Sequence, residues 1–241
     1  MPYGVPARQF EDGRFNRFLT ALSPYDFALL APHLRTISLE TGVVLQDVGE
    51  IERVYFPHTG MVSLVTVMRS GVIVETACVG RAGVIGASAG LGTRATSGRA
   101  VVQLPGKAAW LSAAHFHAAA NQSEPIRDLI VRYNDLLLAD IQQSVACNVL
   151  HHMEARLCRW LLQAHDCFEG DAIPLTQEFL GQMLGVRRTT VTLWARLLQG
   201  KGLIRYRRGL IHILDRTRLE QLACECYDVV RLSADKVFPR R

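Results

Sequence analysis

The 241-residue chain is 49% apolar with a net charge of +5, which excludes disorder as its main state and allows a sizeable core, most naturally split between two small domains. Its longest stretch free of charged residues, Ala108 to Ser123, is interrupted by His115, His117 and Asn121 and falls short of the roughly 18 apolar residues that a membrane-spanning helix needs. The start of the chain, with Glu11 and Asp12 and no apolar segment, does not read as a secretory signal.

Six cysteines at positions 78, 147, 158, 167, 224 and 226 contain no C-x-x-C pair. That is neither a disulfide framework nor a zinc-ribbon spacing, and a reducing cytoplasm is the expected location.

The stretch FNRFLTALSPYDFALLAPHL reads as helical, with Ser23-Pro24 as the N-cap and first-turn pair of a short second helix. Between Thr41 and Trp110 stand 11 of the 19 glycines, separating short runs such as MVSLVTVM, VIVETACV and RAVVQL. Short apolar runs at this spacing predict a small all-β sandwich or barrel. After Pro125 there is no further glycine or proline until beyond Cys167, and Ile126, Leu129, Ile130, Tyr133, Leu137 and Ile141 recur at three- and four-residue steps. This pattern predicts a long helix with one apolar stripe. A second copy of the chain is the expected cover, with Ile126, Ile130, Tyr133, Leu137 and Ile141 as the seam; the chain's own β domain is the competing one.

Charge is concentrated beyond this helix. Residues 1–150 balance, whereas Pro174 to Arg218 carries nine basic residues against only Glu178 and Asp215. A field of that kind attracts polyanions, and a cytoplasmic polyanion is most often nucleic acid. Within the same stretch, Thr176 is a good N-cap, Glu178 places a carboxylate in the first turn, and the helix from Gln177 ends at Gly185. A second helix begins near Arg188. Leu180, Leu184, Val186, Val191 and Trp194 are spaced to form a shared core, while Gly181 permits close approach. The alternating stretch LIRYRRGLIHIL, with a turn at Arg208-Gly209, predicts a hairpin. The sum is a winged helix-turn-helix. Expected DNA-binding residues are Thr176, Gln177, Arg187, Arg188, Thr189, Thr192 and Arg196 of the two helices, with Arg207 and Arg208 of the wing.

With a β domain, a long helix and a winged helix in that order, the chain resembles the Crp/Fnr family of bacterial transcription regulators. LTQEFLGQMLGVRRTTVT and the following GLIRY carry the resemblance most specifically, and TGVVLQDVGEIERVYFPHTGMVSLV resembles the opening hairpins of a cyclic-nucleotide-binding jelly roll. The resemblance implies an α+β chain with a cyclic-nucleotide-binding-like β jelly roll and N-terminal helices over 1–122. A dimerisation helix over 123–152 and a winged helix-turn-helix over 153–241 would follow. It also implies a homodimer that places two recognition helices one helical turn apart on near-palindromic double-stranded DNA, with RNA polymerase as a further partner.

The chain departs from the family's pattern in three places. Where the cyclic-AMP-responsive member reads bases with arginine, glutamate and arginine, this chain has Arg188, Thr189 and Leu193, so a different operator is expected. Residues 1–77 hold no cysteine, so the iron-sulfur centre of the oxygen-sensing branch is not expected. In the loop GVIGASAGLGTRATSGRAVV, Ala87 stands where the family's ribose-binding glutamate would be, beside Ser88, and Thr96-Ser97 replaces the phosphate-binding arginine-serine pair. A cyclic nucleotide would lose its charged partners there unless Arg94 or Arg99 supplied one, and no response to cyclic AMP is expected.

His151, His152, Glu154, Cys158, His165 and Cys167 share one stretch without an i, i+4 His-Cys pair. They read as surface histidines and structural cysteines. Cys224 and Cys226 are expected on a last helix, where a two-residue step points the thiols apart. No metal or other cofactor is therefore expected. Neither domain carries a Gly-rich phosphate loop, a G-x-S-x-G elbow or a paired-carboxylate motif, so an enzyme is not expected. A protein-docking module built on a winged helix and a ligand-free β domain is the alternative reading.

Overall fold

The computed structural model describes residues 16–168, 170 and 172–238. Positions 1–15 of the expected β domain and its first helix, and positions 239–241 of the expected C-terminal domain, lie outside the described residues. Helix α1 (Arg17–Ala21) is capped by Asn16, whose side chain accepts from the Phe18 N–H. Ser23 caps α2 (Pro24–Leu30) as the Ser-Pro pair predicts.

The β domain follows, with β1 (Arg35–Leu39), β2 (Val44–Gln46), β3 (Gly49–Glu50), β4 (Arg53–Val67), β5 (Ile73–Val79), β6 (Ala95–Thr96) and β7 (Arg99–Ser112). All pairings are antiparallel. The main sheet runs β1-β7-β4-β5 with β2 also on β7, while β3 and β6 pair separately. The two longest strands, β4 and β7, shift register between Pro57 and Val62. Such bulges bend a strand and let one long ribbon curl around a core.

Helices α3 (Ala113–Gln122), α4 (Glu124–Leu150) and α5 (Met153–Cys167) come next, then β8 (Ala172–Pro174), α6 (Gln177–Leu184) and α7 (Arg188–Gly200). Strands β9 (Ile204–Arg207) and β10 (Leu210–Ile213) and helices α8 (Arg216–Leu222) and α9 (Cys226–Val237) complete the described chain. No described helix is long and apolar enough to cross a membrane. The chain is an antiparallel β domain, a long helix and a helix-turn-helix region in the expected order.

Three features differ from the sequence reading. First, the helical stretch breaks at His151 and His152, both in extended backbone, without any glycine or proline to mark it. Second, β8 adds a third strand to the wing by pairing with β10.

Third, the stripe on α4 faces inward. Ile126 and Ile130 are fully buried and Tyr133 nearly so, packed with Phe18, Phe56, Phe116 and Phe238. Leu137 is partly buried against the same cluster, and Ile141 is half-buried. Tyr133 also donates its hydroxyl to the Val84 carbonyl at 2.9 Å. The expected seam is thus corrected: Ile126, Ile130 and Tyr133 cover the chain's own β domain. The reason is physical. An apolar stripe reports that a face is buried but not by what, and these rings and branched chains already have a close-packed partner.

The exposed apolar residues of α4 lie away from this stripe. They are Val131, Leu138, Val145, Val149 and Leu150.

Candidate nucleic-acid interface

The turn between α6 and α7 forms for the reasons the sequence suggests. The Thr176 hydroxyl accepts from the Phe179 N–H at 3.2 Å, capping α6. Gly185 closes the helix in the left-handed conformation at φ +64°. A Cβ on Gly181 would stand 2.9 Å from the Val186 carbonyl oxygen, so only glycine lets the turn fold back this tightly. Leu180, Leu184 and Val191 are buried between the helices, with Val186 and Trp194 partly buried against them. The Thr192 hydroxyl lies 2.6 Å from Gln177 Oε1 and 3.0 Å from the Arg188 carbonyl oxygen. Gln177 and Thr192 therefore act first as a strut between α6 and α7.

The outer face of α7 presents Arg187, Arg188, Thr189, Leu193 and Arg196, all exposed. The wing is a two-residue hairpin in which Arg207 pairs with Leu210 and both turn residues have positive φ, Arg208 at +51° and Gly209 at +76°. That turn matches the twist of the strands and projects Arg207 and Arg208 into solvent. Tyr206 fixes the wing to the helices, taking its N–H to Gln199 Oε1 at 2.8 Å and its hydroxyl to the Leu175 carbonyl at 3.2 Å.

The fold sorts the nine basic residues into two sets. Lys201 is paired with Glu154 at 2.5 Å, and Arg216 with Asp166 at 2.8 Å and Glu220 at 2.9 Å. Arg218 reaches the Lys201 carbonyl at 3.5 Å. Arg187, Arg188, Arg196, Arg205, Arg207 and Arg208 make no ion pair or side-chain hydrogen bond among the described residues, and all six are exposed. Unneutralised charge is thereby gathered on α7 and the wing.

The loop expected as a degenerate effector pocket is a short helical turn over Ala87–Leu91, entered through Gly86 at φ +78°. Ala87 is buried, Ser88 half-buried, and Arg94 and Ser97 exposed. Thr96 accepts from the Gly98 N–H at 3.2 Å. Arg99 makes a two-pronged pair with Asp47, both contacts at 2.9 Å. Its guanidinium beside Asp47 holds that carboxyl below the usual range.

A cleft of about 260 Å³ lies elsewhere, lined by Gly80, Tyr133, Asp140, Asp166, Arg216 and Tyr227 among others. No local spacing in the sequence marks this constellation, because it joins β5, α4, α5, α8 and α9 across long stretches of chain. Burial raises Asp140 to about 7.

A second missed feature overturns the geometry expected of the last cysteines. Cys224 lies in the turn before α9, so it and Cys226 are not two residues apart on one helix. Their thiols converge instead on Cys147.

Residues 155–222 match the Crp-like helix-turn-helix domain. The chain is similar in structure to FixK2 from Bradyrhizobium japonicum, with a TM-score of 0.67 and 16% identity over 79% of this chain and 98% of that one. A protein of the Crp/Fnr family from Eubacterium rectale gives 0.65 and 18% over 84% and 95%. A Crp/Fnr-family transcriptional regulator from Thermus thermophilus gives 0.63 and 22% over 78% and 98%. No curated protein matches the chain by sequence. The chain thus carries a Crp-like helix-turn-helix domain and has the fold of the Crp/Fnr family of transcription regulators.

Proposed function

We infer that the protein regulates transcription by binding specific double-stranded DNA as a homodimer, with RNA polymerase as a partner at the promoter. The observation that carries this reading is the sorting of the basic residues: the six arginines with no ion pair or side-chain hydrogen bond among the described residues are those on the outer face of α7 and on the wing. A recognition helix in the major groove, flanked by phosphate-clamping arginines, needs that arrangement. In this reading residues 1–122 form the sensory or purely structural domain, 123–152 the dimerisation helix and 153–241 the DNA-binding domain.

The exposed face of α4 supports pairing with a second copy. Val131, Leu138 and Val145 recur at seven-residue steps, and Val149 continues the face. Seven is the period of a left-handed two-stranded seam. Two-fold pairing would set two α7 helices about one DNA turn apart on a near-palindromic operator.

The β domain is read as unresponsive to cyclic AMP. Ala87 offers no acceptor, and the Arg99 charge is already neutralised by Asp47, which leaves only Arg94 to meet a cyclic phosphate.

Selection of bound duplexes from a random pool, followed by anisotropy titrations at increasing salt, tests the reading. Enrichment of a near-palindromic sequence, bound with a steep salt dependence, is expected. A protein with no preference among duplexes and no salt dependence would overturn it in favour of a winged helix that docks a protein.

A further inference from the structure

The six cysteines are not equivalent. Cys158 packs into the apolar core of the helix-turn-helix region beside Leu157 and Leu161, as an inert buried thiol does. Cys147, Cys224 and Cys226 instead pack on one another, with Ala155 as the partly buried apolar residue against them. Cys147 belongs to the last turns of α4, His151 to the break before α5, Cys224 to the turn between α8 and α9, and Cys226 to the first position of α9. Two stretches of chain, 147–151 and 224–226, thus bring three sulfurs and one imidazole together, with the donor atoms all within 4.8 Å of one another.

We propose that Cys147, His151, Cys224 and Cys226 form a tetrahedral site for a single zinc-class divalent ion that ties the long helix to the C-terminal turn. Around zinc, with bonds of about 2.3 Å to sulfur, neighbouring donors of a tetrahedron stand about 3.8 Å apart. The Cys147 and Cys224 sulfurs are 3.5 Å apart, and the Cys226 sulfur is 3.5 Å from His151 Nδ1. Only the widest pairs need to contract. An iron-sulfur cluster distributes its cysteines over several irons, whereas these donors are gathered around one point.

The surroundings independently match a ligand set. The far nitrogen of His151, Nε2, lies 3.1 Å from the Glu225 carboxylate. A carboxylate there holds the proton on Nε2 and turns a bare Nδ1 toward the sulfurs, the arrangement that commonly orients metal-binding histidines. Gln143 donates its amide N–H to the Cys226 sulfur at 3.0 Å, a bond that a thiolate accepts better than a thiol. All three cysteines are buried, with Cys147 fully so. Three thiolates and a divalent ion carry one net negative charge, and Arg156 and Arg159 on α5 are close enough to feel and compensate it.

Arg156 also reaches the Leu184 carbonyl, at the C-terminus of α6, at 2.6 Å and the Asn148 side chain at 2.7 Å. An ion in this cage would therefore fix the break between α4 and α5 and, through Arg156, the seat of the helix-turn-helix. That consequence rests on the DNA-binding reading. The metal site does not, because its test reads the metal directly.

The full chain, reduced and stripped with chelator, is titrated with cobalt as an optical stand-in for zinc. Saturation at one cobalt per chain is expected, with the visible bands of tetrahedral cobalt and a thiolate charge-transfer band, all abolished when zinc displaces cobalt. Zinc should also shield the three thiols from alkylation, which Cys158 reports as an internal control. Cys224→Ser should lose the charge-transfer intensity and most of the affinity. Glu225→Gln, which leaves every ligand in place, should weaken binding about 10- to 100-fold. Cobalt spectra of octahedral type or no stoichiometric binding by the reduced wild-type chain would overturn the proposal. So would a Cys147–Cys224 disulfide formed by mild oxidant in a protein that retains no zinc, which would mark the pair as a redox couple.

Discussion

Trp160 on α5 donates its indole N–H to the Glu75 carboxylate on β5 at 3.0 Å, joining the helix-turn-helix region to the β domain through two buried side chains. Glu75 also accepts from the Ser63 hydroxyl. Burial raises this carboxyl above its ordinary range against the pull of those hydrogen bonds. Gln103 of β7 meets the Met183 sulfur of α6 at 3.0 Å, and Met61 and Leu104 of the β domain enter the same apolar cluster as Leu157 and Leu180. The two parts of the molecule share one core at this junction.

Trp160→Phe keeps most of the ring but leaves Glu75 Oε1 without its donor, since the Ser63 hydroxyl serves the other oxygen. It should cost about 1–3 kcal/mol, the penalty for an unsatisfied buried polar group. Glu75→Gln keeps an acceptor and removes a charge that burial disfavours, so it should cost less. Denaturant midpoints of the two variants, measured side by side, check the order.

The two faces of α4 should respond oppositely to substitution. Ile130→Ala opens a cavity in the β-domain core and should cost about 2–5 kcal/mol. Leu138→Asp with Val145→Asp alters only exposed positions and should leave each chain folded while dissociating the dimer. Light scattering together with urea melts separates the outcomes; a double variant that stays dimeric would move the seam elsewhere.

On α7 and the wing, Arg188→Ala should cost about 1–3 kcal/mol at the selected operator and relax preference at one base position. Arg207→Ala or Arg208→Ala should weaken all duplexes alike and reduce the salt slope by about 1. Anisotropy titrations with specific and random duplexes distinguish a base reader from a phosphate clamp.

Asp140 sets a pH dependence whose sign is determined by its burial. Its folded-state value is about 7, against about 3.9 in an unfolded chain. Between those limits the unfolded chain has released a proton that the folded one retains, so stability falls as pH rises. The loss begins near pH 4 and is complete above about pH 7. Asp140→Asn should therefore melt at a higher temperature than the wild type in mildly alkaline buffer, and the two should converge near pH 4. Thermal melts across that range check it, and parallel curves would remove Asp140 as the source.

The helix-turn-helix was legible from sequence because its determinants are local. A cap at Thr176, a glycine at 181 for close approach, another at 185 for a left-handed turn and apolar residues at helical spacing act within some twenty residues, and their physics does not depend on what surrounds them. The Arg208-Gly209 turn of the wing is local in the same sense.

What only the tertiary structure decided depends on partners distant in sequence. Periodicity identified the buried stripe of α4, yet Phe18, Phe56 and Phe116, far along the chain, determine that Ile130 and Tyr133 face inward. The apolar face of α4 left exposed is accordingly the one bearing Leu138 and Val145. Cys224 and Cys226 looked divergent on an assumed helix, and a turn carrying no glycine or proline turned both thiols toward Cys147, 77 residues away in the case of Cys224. Local propensity records which conformations a segment favours; convergence of side chains from two distant segments is set by packing, which neither segment encodes alone.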